Sequence, residues 1–352
     1  MKQTASHWGK KLAVWLPIIS LLVLLIDLVS IFIGSAQLSF ALVWDTIVSR
    51  IPVLRHVAAL SPGQAVETII WEIRIPRVLL GMLCGAALSA AGTAFQGILR
   101  NPLADPYILG VSSGSSLGAA FVILFGLQTS VLGQWTLPLA AFATGIITLL
   151  VVLALAQSGR GIRVETLILA GVVVQAFIAA LLSFILSVSD WKMQMIMLWM
   201  MGSLTAADWG YVEIVLPYIV ICVFIIWMYT QKLNVLALGE ESAYHLGVSV
   251  NRTRVVVLVT ASLLTAAAVS VSGTIGFVGL IIPHLVRLVF GADHRVVLPI
   301  SVVLGAGFLV LADTLARTLL EPRELPIGIF TALLGAPFFG YLLRQVRRQF
   351  FS

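Results

Sequence analysis

"RNPLADPYILGVSSGSSLGAA", residues 100–120, sits between two long apolar runs. Arg100-Asn101-Pro102 halts the run before it, because proline lacks an N–H and biases the residue ahead of it away from helical geometry. Asp105-Pro106 begins the next run. The Gly/Ser cluster that follows gives the new helix a face of small, partly polar residues. A tight turn is the simplest reading of such a stretch. A turn alone, however, does not require Asn101, Leu103 and Asp105 together, so the meaning of the segment depends on what surrounds it.

What surrounds it is apolar nearly throughout. Of 352 residues 60% are hydrophobic and 10% charged, with mean hydropathy +1.08, which excludes a soluble globular domain. Runs close to the ~20 residues of a helical membrane span recur along the chain, and the alternating pattern of a membrane β-barrel is missing. The expected fold is all-α: a polytopic membrane protein with about ten transmembrane helices near 14–35, 78–98, 107–126, 136–156, 165–187, 212–230, 254–272, 276–290, 296–316 and 325–343. The eighth is short, glycine-rich and broken by Pro283, so a kinked or re-entrant segment is expected there. No linker separates soluble domains, and residues 1–352 read as one transmembrane domain. The first run is longer than a signal-peptide core and lacks a small-residue cleavage site, which makes it an anchor.

Lys and Arg in the connections orient the chain. With the N-terminus inside, 14 basic residues, among them Lys10, Lys11, Arg100, Arg160, Arg254 and Arg295, fall on the cytoplasmic side. Seven fall outside, namely Arg50, Arg55, Arg74, Arg77, Lys192, Arg317 and Arg323, so both termini are expected in the cytoplasm of a plasma-membrane protein. The net charge of +6 then reflects topology and anionic lipid, with no sign of nucleic-acid binding.

No phosphate-binding P-loop, zinc-protease helix, paired zinc cysteines or nucleophile elbow occurs, which argues against catalysis within the chain. Cys84 and Cys222 fall in apolar runs, where packing is their expected role. Lone His284 is read as a packed residue, and no metal or cofactor site is expected. Of the acidic residues Asp313 is read as the one well inside a span, paired with Arg317 one helical turn later. An ion-coupled carrier normally buries several carboxylates, so the energy source is expected elsewhere.

The longest cytoplasmic connection is 231–253, "QKLNVLALGEESAYHLGVSVNRT". After Gly239, Glu240 and Glu241 suit the positive start of a short helix. Ala243, Tyr244, Leu246 and Val248 give that helix an apolar side, and Gly247 ends it. A helix lying on lipid and a helix docking on a partner both fit these residues.

Five segments decide more: "RIPR" (74–77), "GAALSAAGTAFQGILRNPLADPYILGVSSGSSLGAA" (85–120), "WMMGSL" (199–204), "GTIGFVGLIIPHLVRLVFGADHR" (273–295) and "ELPIGIFTALLGAPFFGYLL" (324–343). In order and spacing they closely resemble FecCD-type permeases of binding-protein-dependent ABC importers for iron-siderophores, haem and cobalamin. The resemblance covers nearly all the chain after about residue 70 and implies a type II ABC importer permease architecture. It implies a second permease copy or paralogue, separate cytoplasmic ATPase subunits that bind the ATP, and an extracytoplasmic binding protein as partners. It puts Asn101 and Leu103, with Val164 and Glu165, at a cytoplasmic gate, although the small polar residues of relatives are replaced at the latter pair. It gives Gly239, Glu240, Glu241, Ala243, Tyr244, Leu246 and Gly247 to ATPase coupling, and Arg74, Arg77 and Arg317 to docking of the binding protein. The implied cargo is a metal chelate, an iron(III)-siderophore first, with cobalamin and haem as alternatives and an ion-coupled carrier as the rival of another class.

Overall fold

Pro76 occupies the first turn of the helix around which the others are arranged. A computed structural model describes residues 2–34, 36, 38–50, 63–129, 132–158, 161–189, 191–321 and 323–350. Arg55 and Arg160, used in the charge reading, lie outside the described residues. In chain order the helices are α1 Lys2–Phe32, α2 Phe40–Ser49, α3 Gln64–Thr68, α4 Ile75–Ile98, α5 Val111–Phe125, α6 Thr136–Ala156 and α7 Val164–Ser187. They continue with α8 Met193–Met200, α9 Trp209–Leu236, α10 Glu240–His245, α11 Val250–Ser272, α12 Val278–Phe290, α13 His294–Thr318 and α14 Ile327–Phe350. The strands among the described residues are the two-residue pair Gln157–Ser158 and Gly161–Ile162, a hairpin between α6 and α7.

All ten segments expected from hydropathy are helical. Among the described residues seven helical segments are long and apolar enough to cross a bilayer, while α5, α12 and the part of α14 up to Gly340 are shorter. The segment expected over 107–126 does not start as one helix. Pro106–Leu109 forms a 3-10 turn, Gly110 takes a left-handed backbone (φ 75°), and α5 begins after that break. Sequence reading missed α2, α8 and a π-helical stretch, Ile69–Arg74, that joins α3 to α4.

α4 is buried along nearly its whole length, packed by α9, α11, α12 and α13, with α1 beyond. Its small residues make this possible. A Cβ at Gly92 would lie 1.8 Å from the Gly279 carbonyl oxygen of α12, and one at Gly85 would lie 2.1 Å from the Gly305 oxygen of α13. Backbones that close gain dispersion contacts, the force available to helices in a solvent as apolar as they are. Outer helices behave differently. α1 exposes Leu21, Leu22, Leu24 and Leu25, and α7 buries one face while showing Leu169, Val172, Val173 and Phe177.

Candidate functional site

Polar structure concentrates at the two ends of the bundle. At the end where α4 stops, the chain turns at Arg100, a non-glycine residue with φ 51°. The Asn101 side chain then accepts a hydrogen bond from the Leu103 N–H (2.9 Å), a local Asx turn that satisfies the loop without further secondary structure. Asp105 accepts from the Tyr107 N–H (2.7 Å) and caps the 3-10 turn. Burial pushes the Asp105 carboxyl above its ordinary pKa, only partly opposed by that hydrogen bond. The Tyr107 hydroxyl donates to the Ile275 carbonyl (2.8 Å), which ties the turn to the link between α11 and α12.

The α10 segment, to which the resemblance gives ATPase coupling, lies beside this loop. Gly239, at φ 112°, makes the bend that lets α10 leave the axis of α9, and Gly247, at φ 78°, ends it. Both angles favour a residue without Cβ. The apolar side expected on this helix is divided in two. Ala243 is fully buried beneath it, whereas Tyr244 is 75% and Leu246 63% exposed on the outer surface.

Glu240 joins these pieces. Its Oε1 accepts from Arg254 Nη2 at 2.6 Å and from Arg100 Nη2 at 3.4 Å. Arg254, the fifth residue of α11, is buried, and its Nη1 donates to the Ile162 carbonyl in the hairpin ahead of α7. Asn251 Oδ1 accepts from the Ile162 N–H at 3.2 Å, so both backbone groups of Ile162 are held by side chains of α11. Two residues later Val164 opens α7, followed by exposed Glu165, whose 3.7 Å pair with Arg163 lies in solvent. Among the described residues no hydrogen bond or ion pair joins Asn101 and Leu103 directly to Val164 and Glu165. The bonded path between the two segments runs through Arg100, Glu240, Arg254 and Ile162. Sequence reading used Arg254 only as a charge that orients the chain and gave it no part in the site, although a basic residue at the start of a long apolar run was its available signal.

The Gly/Ser run is not an open polar face. Ser112, Ser115 and Ser116 are buried, and a Cβ at Gly114 would lie 2.1 Å from Thr148 Oγ1 of α6. Small residues here serve close packing of α5 on α6.

The opposite end departs further from expectation. Arg74, Arg77 and Arg317 are 3%, 8% and 5% exposed, not a row of surface cations. A guanidinium held out of water needs acceptors at hand, and the chain supplies them. Arg74 donates to the carbonyls of Ile31, Phe32 and Ala36 beyond and at the end of α1. Arg77 donates to both oxygens of Asp313 and of Glu324, at 2.9–3.2 Å. Arg317 reaches Ser30, and its Nε lies 3.8 Å from Asp313, so the expected Asp313–Arg317 pair is secondary to Arg77–Asp313. The Arg77 cation keeps the Glu324 carboxyl below its ordinary pKa despite partial burial, with help from the Thr205 hydroxyl. Asp27 of α1 was also missed as an acid inside a span; it is 5% exposed and neither carboxylate oxygen has a hydrogen-bond partner among the described residues. No group of three His, Cys, Asp or Glu side chains converges as a metal site among those residues.

The fold is thus a polytopic helical bundle with a short helix, α10, exposing Tyr244 and Leu246 at one end. The sequence profile of the FecCD transport family matches residues 21–345, and the chain belongs to that family. It is 47% identical to the cobalamin import system permease protein BtuC of Halobacterium salinarum, over 80% of this chain and 75% of that one. It is 38% identical to the hemin transport system permease protein HmuU of Yersinia pestis, over 94% of this chain and 95% of that one. Its fold superposes on a solved inward-facing transporter of metal-chelate ABC type with TM-score 0.80 and 33% identity, covering 94% of this chain and 98% of that one. The protein is therefore a multi-pass permease subunit of an ABC importer.

Proposed function

We propose that this permease carries a metal ion enclosed in an organic chelator, an iron(III)-siderophore first among them, driven by separate ATPase subunits that dock on α10. The observation that carries the coupling assignment is the exposed pair Tyr244 and Leu246 on a short helix whose inner face is sealed by Ala243. Large apolar side chains presented on a polar end suit a cleft in a partner, with little strain in the helix that bears them. The cargo class is supported by the relatives, named for cobalamin and hemin, and by the metal-chelate type of the solved neighbour. No nucleotide or cofactor is assigned to this chain. A second permease chain would complete the path, and an extracytoplasmic binding protein would deliver cargo at the Arg77 end. The basic end holding Arg100, Arg254 and Arg295 is then cytoplasmic, with both termini.

The test is co-purification with an ATP-hydrolysing subunit, followed by uptake of radiolabelled ferrichrome, haemin and cyanocobalamin into proteoliposomes that also receive the binding protein. ATP-dependent accumulation of ferrichrome supports the full reading, and preference for either other cargo corrects the chelator. Uptake driven by an ion gradient with no ATPase attached would return the carrier hypothesis. In the Tyr244→Ala, Leu246→Ala double variant, ATPase association should weaken by about 2 kcal/mol or more, as for interface anchors, with stability changed by no more than about 0.5 kcal/mol.

A further inference from the structure

Four side chains at the Arg100 end form one connected unit, and Arg254 is its centre. One guanidinium nitrogen holds Glu240 on α10, and the other holds the Ile162 carbonyl in the hairpin that leads into Val164 and Glu165. Asn251, three residues earlier on α11, takes the Ile162 N–H. Arg100 adds a longer bond from the α4–α5 loop to the same Glu240 oxygen. The two kinds of link are unequal. The Arg100–Glu240 pair has 43% and 47% of its side chains exposed, and surface pairs contribute little. In the Arg254–Glu240 pair the same 47% exposed carboxylate meets a guanidinium only 9% exposed and at 2.6 Å, so this link is the shorter and better shielded of the two.

We infer that Arg254 is the positioning residue that transmits displacement of α10 to the hairpin before α7, with Glu240 as its attachment on the coupling side and Ile162 as its attachment on the gate side. This rests on the importer reading above. A planar guanidinium can bond both partners at once from fixed directions, whereas a lysine ammonium on a flexible stem cannot reproduce that fork. α10 touches α9 and α11, while the hairpin touches α11, so the start of α11 is the place where the two can share one motion. The Arg100 bond follows the same Glu240 carboxylate and adds the Asn101–Leu103 loop as a weaker branch.

The experiment uses the permease reconstituted with its ATPase subunit, carrying Glu165→Cys as a reporter. Cys84 and Cys222 are buried, so the background of a membrane-impermeant maleimide is set by the protein without the reporter. Labelling rates are compared without nucleotide and after trapping with ATP and vanadate. The expected result is a rate change of about fivefold or more on trapping with native Arg254, and loss of that change in both Arg254→Ala and Arg254→Lys, with the ATPase still co-purifying in each. Asn251→Ala, which leaves Arg254 and Glu240 intact, should reduce the change without abolishing it and guards against a folding failure of the Arg254 variants.

A full labelling response in Arg254→Ala overturns the inference. So does full rescue by Arg254→Lys, or loss of ATPase co-purification in the Arg254 variants while Asn251→Ala responds as the parent does; either would make Arg254 a structural support of α10. Failure of the parent protein to retain any ATPase would instead sink the importer reading itself, before Arg254 is at issue.

Discussion

The two ends of this bundle use arginine in opposite ways. At the Arg77 end three guanidinia are buried and bonded to carbonyls and carboxylates of α1, α13 and the connection before α14. At the Arg100 end Arg254 is the arginine buried among the described residues, while Glu240, Tyr244 and Leu246 face outward around it. Buried multidentate pairing resists motion, because displacing either partner strands a charge in a dry setting. A single buried link surrounded by exposed groups leaves its elements free to move together. One end is a clamp, the other a joint.

The sharpest way to break this contrast is Arg77→Ala. It strands Asp313 and leaves Glu324 without its cation, and should cost about 3–5 kcal/mol, seen as a large drop in melting temperature of the purified protein. An unchanged melting temperature would show that this end is not clamped. Arg74→Ala removes donors from three carbonyls and should cost about 1–3 kcal/mol, measured by the same thermal scan.

A pH series sharpens the comparison with a smaller effect. Because the folded Glu324 pKa lies below its ordinary value of 4.5, its pairing contributes stability above that pH. The contribution is lost as pH falls through the lower folded value. The melting-temperature gap between native protein and Glu324→Gln should therefore be constant at neutral pH and close below about 4.5. At the bottom of the scale, Glu165→Gln breaks an ion pair whose side chains are 73% and 78% exposed. Stability should move by less than about 0.5 kcal/mol, and a larger shift would mean that the joint is more rigid than its exposure implies.

Much of this was legible in the chain. Hydropathy located ten helices because a bilayer-length apolar run has few other stable states. Gly239 and Gly247 marked the limits of α10, since glycine is the residue that takes the positive φ angles found there. The small residues of α4 announced a tight contact without naming α12 and α13 as its partners. The burial of the Ser residues of α5 was not legible, because a hydroxyl reads as polar in sequence whether it faces solvent or, like Ser115, packs beside Gly145 of α6.

The all-α membrane class and the positions of the long apolar segments were thus legible from local composition and spacing. The partners of the arginines were not. Arg77 meets Asp313 and Glu324 across more than two hundred residues, and Arg254 meets Ile162 across ninety-two, so neither pair leaves a periodic trace in the sequence. A charged residue near a span end looks the same whether it snorkels to lipid, greets a partner or turns inward. Only the packed helices, by bringing acceptors within about 3 Å of buried donors, decided which of these each arginine does.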